Sequence, residues 1–356
     1  MKAMMMKEYM KLELVESPIP EIRENEVLVK IKVASVCGSD IHGMNGNSKR
    51  RQPPIIMGHE ASGVIEEVGK DVAGFAVGDR VTFDSTVYCG ECGYCKSQQI
   101  NLCDHRMVLG ASTGEYRRHG AYAEYIAIPA HILYKLDDAI SFEDAAMVEP
   151  MSVALHAIHL LPPVKDGCLV LFGTGTIALF AVQLLKLQGF NNVVVVGRNH
   201  KNLQLAKELG ADLIVDSTQE DPVSVVMNYT QQVGADLAYD AAGAQSTFDS
   251  AIQCLRKGGH FVTIANLAPE FTIDMISLIT RQLTIHGSCA SNGENEEILT
   301  WLKEGKIRTD YVISAKISLE EAPEYLLKIH HKEIPEFQKL LILPEGTDPN
   351  KSGQSF

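Results

Sequence analysis

The sequence predicts an α/β protein in two parts, a β-rich domain followed by a doubly wound parallel sheet. Three observations carry this. Residues up to about 150 read as short strands broken by frequent turns, strand and helix alternate after Pro150, and the stretch from Ile313 adds one more helix and a closing strand. In the first part Val27 to Val33, Val64 to Val68 and Arg80 to Phe83 are short, partly alternating runs, punctuated by Gly63, Gly69, Gly74 and Gly78. Such strands are too short and polar for the centre of a parallel sheet. In the second part Cys168 to Phe172 is an unbroken apolar strand, Thr176 to Gln188 a helix, Val193 to Val196 a second strand and Lys201 to Leu209 a second helix. Leu213 to Val215, Leu237 to Tyr239 and Phe261 to Ile264 continue the strands. A helix is expected around Glu320 to His330, a strand at Lys339 to Leu343 and a disordered tail from Glu345 to Phe356. The expected domains are 1–152, 153–290 and a return to the first domain over 291–356.

Composition narrows the function. Of 356 residues, 46% are apolar and 22% charged, enough for a packed core. With 32 basic against 45 acidic side chains the net charge is −13, which argues against nucleic acid or an anionic membrane as partner. Met1 to Met10 carries Lys2, Lys7 and Glu8, so no secretory core forms there. Cys168 to Val182, the longest nearly apolar stretch, is too short to span a bilayer. The expectation is a cytoplasmic protein with no membrane contact.

Eight cysteines are present, and Cys89, Cys92, Cys95 and Cys103 crowd into one Gly-rich segment as Cys-x2-Cys-x2-Cys-x7-Cys. Four thiolates at this spacing suit a closed tetrahedral Zn²⁺ site with no open position, with an iron–sulfur cluster as the rival. A second, open site needs three ligands and an exchangeable position. Its candidates are Cys37, the pair His59 and Glu60, and Glu149 just ahead of Pro150. Taken singly each is a weak signal: a lone cysteine after an apolar strand is usually core, and a lone His-Glu pair is usually surface.

After the strand Cys168 to Phe172, the run Gly173-Thr-Gly175-Thr-Ile-Ala178 opens a helix, the strand–turn–helix setting in which Gly-x-Gly-x-x-Ala binds a dinucleotide pyrophosphate. At the end of the second strand, where a carboxylate would hold the ribose 2′-hydroxyl, the residue is Gly197. Arg198 follows, and Lys201 lies close behind. With no carboxylate there and two cations able to pair with a 2′-phosphate, NADP(H) is favoured over NAD(H). The alternative is that both cations merely solvate a loop.

Gly58-His59-Glu60-x2-Gly63-x5-Gly69-x2-Val72, with Cys37-Gly38-x-Asp40, the turn Gly78 to Val81 and the four-cysteine segment, resembles the zinc-dependent medium-chain alcohol dehydrogenases over about residues 10–343. That resemblance implies a GroES-like catalytic domain, a Rossmann domain, and two Zn²⁺ per subunit, one catalytic and one structural. It implies a catalytic metal on Cys37 and His59, with Glu60 and Glu149 sharing it directly or through water. Glu149 stands where the alcohol branch has a cysteine, which is similar to the sorbitol, xylitol and galactitol-phosphate types. Ser39 and His42 take the positions that relay a proton in the family, although a helix cap for Ser39 and a surface role for His42 remain open. Lys49, Arg50 and Arg51, and Arg117 and Arg118, offer charge for a substrate phosphate or else an exposed charged loop.

The expected activity is therefore reversible oxidation of a secondary hydroxyl of a sugar alcohol, or its phosphate, to the ketose with hydride transfer to NAD(P)⁺. A threonine-type amino-alcohol dehydrogenase and a non-catalytic dinucleotide or redox sensor are the alternatives. The resemblance also implies a homodimer or homotetramer, joined around Phe271 to Ser288.

Overall fold

The computed structural model describes residues 1–47, 50–111, 118–265, 270–334 and 337–345. They form two compact units, one of residues 1–149 with 295–356 and one of residues 150–294. Lys49 and Arg117 lie outside the described residues, as does the expected tail beyond Glu345. Glu345 itself is ordered, its carboxylate 2.7 Å from both Lys30 and Lys32.

The first unit is built on Glu26–Ser35, which pairs antiparallel with Glu60–Val68, Tyr125–Pro129 and Lys339–Leu343. Neighbours on both edges bury it on both faces, so its apolar alternation is only partial. Glu60–Val68 crosses it closely, and a Cβ on Gly63 would fall 2.2 Å from the Lys30 carbonyl oxygen. A hairpin of Lys2–Glu8 and Lys11–Glu16 precedes it. Its methionines interleaved with Lys2, Lys7 and Glu8 give no clear strand signal, so sequence reasoning passes over it.

Register in this sheet sets the site geometry. Ser35 lies opposite Glu60, and the C-terminal strand enters so that Leu341 also pairs with Ser35. The residue that opens that strand, Lys339, therefore arrives beside Glu60 from the far end of the chain.

The second unit holds a six-stranded parallel sheet in the order Leu213–Asp216, Asn192–Gly197, Cys168–Phe172, Ala235–Asp240, Leu255–Thr263, Thr284–Gly287. The chain reverses direction across the sheet at Cys168–Phe172, and dinucleotides bind at such a switch point beyond the carboxyl ends of the strands. Cys168–Phe172 is wholly buried, and the helix Thr176–Leu187 packs Ala178, Leu179, Val182 and Leu185 inward. Leu255–Thr263 begins earlier than expected from sequence, because Arg256, Lys257, Gly258 and Gly259 mask its first half. The last long helix is Ala322–His330, opening with Pro323 in its first turn.

Within this unit the helix Val148–His159 presents His156 and His159 to one carboxylate. Glu294 Oε1 lies 2.7 Å from His156 Nδ1 and 3.4 Å from His159 Nδ1. Burial alone would push the Glu294 carboxyl up, but the two imidazoles outweigh it and hold it down at about 2. A depressed carboxyl contributes stability above its unfolded value and loses it as pH falls towards the folded one. Glu294→Gln should therefore lower the unfolding temperature at pH 6, by an amount that shrinks as pH drops from 4.5 towards 2. Thermal melts of both proteins across that range check this, and a pH-independent difference would refute it.

Candidate metal centre and cofactor turn

Cys37 caps the short helix Gly38–Gly43 with an extended backbone, directly after the central strand. His59 precedes, and Glu60 opens, the neighbouring strand. Gly58 before them has φ +97, and a Cβ there would fall 2.6 Å from the Tyr122 ring, so only glycine lets the turn lie on that ring. Ligand atoms of Cys37, His59 and Glu60 all lie within 4.8 Å of one another. Glu60 Oε2 accepts from Ser35 Oγ at 2.5 Å and pairs with Lys339 Nζ, while Oε1 is buried with no partner. An orphaned buried carboxylate oxygen beside a thiol and an imidazole is what a metal site presents when its ion is left out.

Glu149, at the start of the helix Val148–His159, lies outside this trio and accepts from Ser85 Oγ at 2.8 Å. Burial, reinforced by the Glu60 charge and opposed by His59, pushes its carboxyl up to about 7. Ser39 is exposed, and it caps nothing because Cys37 holds the cap position. Its Oγ donates to Cys37 Sγ at 3.2 Å. His42 is exposed on the last turn of the same helix.

Sequence reasoning missed the buried groups behind these residues. Asp40 is fully buried. Its Oδ1 accepts from Arg51 Nε at 2.9 Å, its Oδ2 accepts from the Tyr122 hydroxyl at 2.7 Å, and that oxygen lies 3.5 Å from His59 Nδ1. Burial would raise the Asp40 carboxyl, but His59 and Arg51 outweigh it and hold it far below the carboxylate range. A carboxylate behind a ligating histidine fixes ring orientation. Asp40 was visible in the Cys37 motif, and Lys339 as one cation opening an otherwise apolar strand.

Arg51 is 5% exposed and engaged with Asp40 and Ser39, and Arg118 is paired with buried Glu26. The Arg51 guanidinium is therefore committed within the protein rather than to a substrate phosphate, and Glu26 takes one nitrogen of Arg118.

The four cysteines form a second cluster, again with sulfurs within 4.8 Å of one another. Cys89 and Cys95 sulfurs are 3.9 Å apart and those of Cys92 and Cys95 3.5 Å. A tetrahedron with Zn–S of about 2.3 Å has edges of about 3.8 Å. Backbone amides of Glu91 and Cys92 donate to Cys89 Sγ at 3.4 Å, and the amide of Cys89 donates to Cys103 Sγ at 3.3 Å. Amides of Cys95 and Asp104 pull the Cys92 thiol down to about 6, while burial and its neighbours push Cys95 up to about 12. The loop is built to hold thiolates that, without a cation, crowd one another.

In the second unit Gly173 leaves its strand at φ +119, with space for a Cβ limited by Ala241 at 3.3 Å. Gly175 caps the helix Thr176–Leu187 with no side chain over its first amides, and Ala178 packs at 1% exposure. A glycine-led helix N-terminus of this kind suits an anion. A Cβ on Gly197 would fall 2.4 Å from Thr174 Cγ2, so a side chain there requires the Thr174 side chain to move. Arg198 and Lys201 are exposed. Asp216, unnoticed in the sequence, sits opposite Gly197 in register, its carboxylate bonded to Thr218.

A family model of the alcohol dehydrogenase GroES-like domain matches residues 23–138, and one of the zinc-binding dehydrogenase matches residues 176–304. The chain is 36% identical to the D-arabitol-phosphate dehydrogenase of Enterococcus avium over 90% of its own length and 91% of that protein's. It belongs to the zinc-dependent medium-chain alcohol dehydrogenase family. The dehydrogenase thus combines a GroES-like domain with a Rossmann-type one. It is also 34% identical to L-threonine 3-dehydrogenase of Bacillus subtilis (strain 168), over 77% of this chain and 78% of that one. A putative zinc-binding dehydrogenase from Sinorhizobium meliloti 1021, bound to NADP, superposes with a TM-score of 0.87 at 27% identity, covering 96% of this chain and 99% of that chain. No helix among the described residues is long and apolar enough to cross a membrane.

Removing Lys339 leaves Glu60 as an uncompensated buried charge. Lys339→Met should cost about 3–5 kcal/mol in denaturant unfolding of metal-free protein. Adding Glu60→Gln should recover most of that loss. An unchanged unfolding midpoint for the single variant would contradict the pairing.

Proposed function

We propose that this dehydrogenase oxidises a secondary hydroxyl of a sugar alcohol, or of a sugar-alcohol phosphate, to the ketose with hydride transfer to NAD(P)⁺. The observation that carries it is the trio Cys37, His59 and Glu60 with its orphaned Glu60 Oε1, and with Glu149, whose carboxyl feels both His59 and Glu60, in place of a second thiol. We assign a catalytic Zn²⁺ to Cys37 and His59, with Glu60 and Glu149 as the carboxylates that complete or exchange in its coordination. A structural Zn²⁺ is assigned to Cys89, Cys92, Cys95 and Cys103. When bound, the catalytic ion supplies Lewis acidity towards the substrate hydroxyl, and the nicotinamide accepts hydride.

The chain's own residues do the rest. Asp40 lies behind the His59 ring, 3.5 Å from Nδ1, and Ser35 with Lys339 holds Glu60. Ser39, beside Cys37, hands on the hydroxyl proton, and His42 on the exposed side of the same helix passes it to solvent. Gly173, Gly175 and Ala178 shape the pyrophosphate turn. NADP(H) is favoured by the lack of a carboxylate at Gly197 and by exposed Arg198 and Lys201; Asp216 is the local group opposing it.

The relative acting on D-arabitol phosphate supports a phosphorylated substrate. The threonine dehydrogenase relative supports an amino alcohol as the second reading. Eight free thiols fit a reducing, cytoplasmic setting. The open edge at Thr284–Gly287 and the exposed Met275, Ile276 and Ile279 of the adjoining helix fit a homo-oligomer.

Reduction of NAD⁺ and NADP⁺ followed optically against free polyols, polyol phosphates and threonine tests this. Turnover is expected on a polyol or its phosphate, higher with NADP⁺, and lost on chelation. Ser39→Ala should lower kcat by about 10²–10⁴. Full activity after chelation, or turnover confined to threonine, would overturn the reading.

A further inference from the structure

Arg51 is a buried cation to which the reaction above gives no role. Its guanidinium carries only hydrogen-bond donors. Nε and Nη2 both reach Asp40 Oδ1, at 2.9 and 2.8 Å, and Nη2 also reaches Ser39 Oγ at 3.0 Å. Ser39 must therefore accept from Arg51, which leaves its one hydroxyl hydrogen for another acceptor. Cys37 Sγ, 3.2 Å away, is in line to take it. Through Asp40 the same guanidinium reaches His59. One cation thus spans two candidate metal ligands that come from different strands. A lysine offers one nitrogen where the fork uses two, Nε on Asp40 and Nη2 shared between Asp40 and Ser39, so it cannot hold the same geometry.

We propose that Arg51 is a positioning residue that turns the Ser39 hydroxyl hydrogen away from itself, towards the Cys37 sulfur and the substrate oxygen bound beside it, while clamping Asp40 on His59. This rests on the reading of Cys37 and His59 as metal ligands. In the reducing direction, negative charge that develops on the substrate oxygen meets a Ser39 hydroxyl already oriented to donate, the reverse of the proton hand-off in oxidation.

Arg51→Lys keeps the charge beside Asp40 and removes the two-nitrogen fork that fixes the contact with Ser39. It should lower kcat at least tenfold with KM changed less than threefold and metal content unchanged. In a Ser39→Ala background the same substitution should change kcat less than twofold, because Arg51 acts through Ser39. A second readout needs no turnover: in cobalt-substituted protein, Arg51→Lys and Ser39→Ala should shift the thiolate-to-cobalt absorption in the same direction, over a constant contribution from the four-cysteine site. If Arg51→Lys does not fold, Arg51→Met combined with Asp40→Asn removes both charges and should show the same loss of kcat and the same cobalt shift.

Independent, multiplying effects of Arg51→Lys and Ser39→Ala would overturn the proposal. So would activity that merely tracks the folded, metal-loaded fraction, or a cobalt spectrum that Arg51→Lys leaves unmoved. A wild type with no metal-dependent turnover would instead sink the dehydrogenase reading, and the cobalt comparison would still decide the role of Arg51.

Discussion

The pairing of Ser35 with Glu60 across two antiparallel strands is the constraint on which the candidate centre depends. It puts Cys37, two residues beyond one strand's end, beside His59, one residue before the other's start. It also provides the oxygen that anchors Glu60, and the C-terminal strand locks into the same register to deliver Lys339. A slip of one residue would turn every one of these side chains to the opposite face. Tyr122, packed under Gly58 and bonded to Asp40, fixes the turn between the two halves.

Around that pairing the buried charges fall into couples. Arg51 answers Asp40 and Lys339 answers Glu60, so each carboxylate has its own cation. The Cys37 thiol and Glu149 have no such cation of their own and share His59, and burial pushes the Glu149 carboxyl up to about 7. A divalent cation bound between them would compensate both groups and remove that penalty. The four-cysteine loop follows the same logic with different means: backbone amides steady its sulfurs, and a cation would relieve their crowding.

Much of this was legible in the sequence where chemistry is local. The strand Cys168–Phe172 and its glycine turn announce themselves because a fully buried parallel strand is an unbroken apolar run. The cysteine spacing reads directly as a metal loop. What the sequence hides is whatever depends on distant partners. Lys339 lies 279 residues from Glu60, and nothing near it in the chain signals an ion pair. Arg51 sits in a run of cations that reads as a solvated loop, yet folding buries it on Asp40. Gly197 reads as a missing carboxylate, and what the sequence does not show is that the Thr174 side chain packs directly against it.

The most direct test of this account is anomalous scattering at the zinc edge from crystals of the protein grown without chelator. The account predicts two peaks per chain, one at the centre of Cys89, Cys92, Cys95 and Cys103 and one bound by Cys37 and His59. A peak in the four-cysteine loop alone, with none beside Cys37 in zinc-replete crystals, would contradict it.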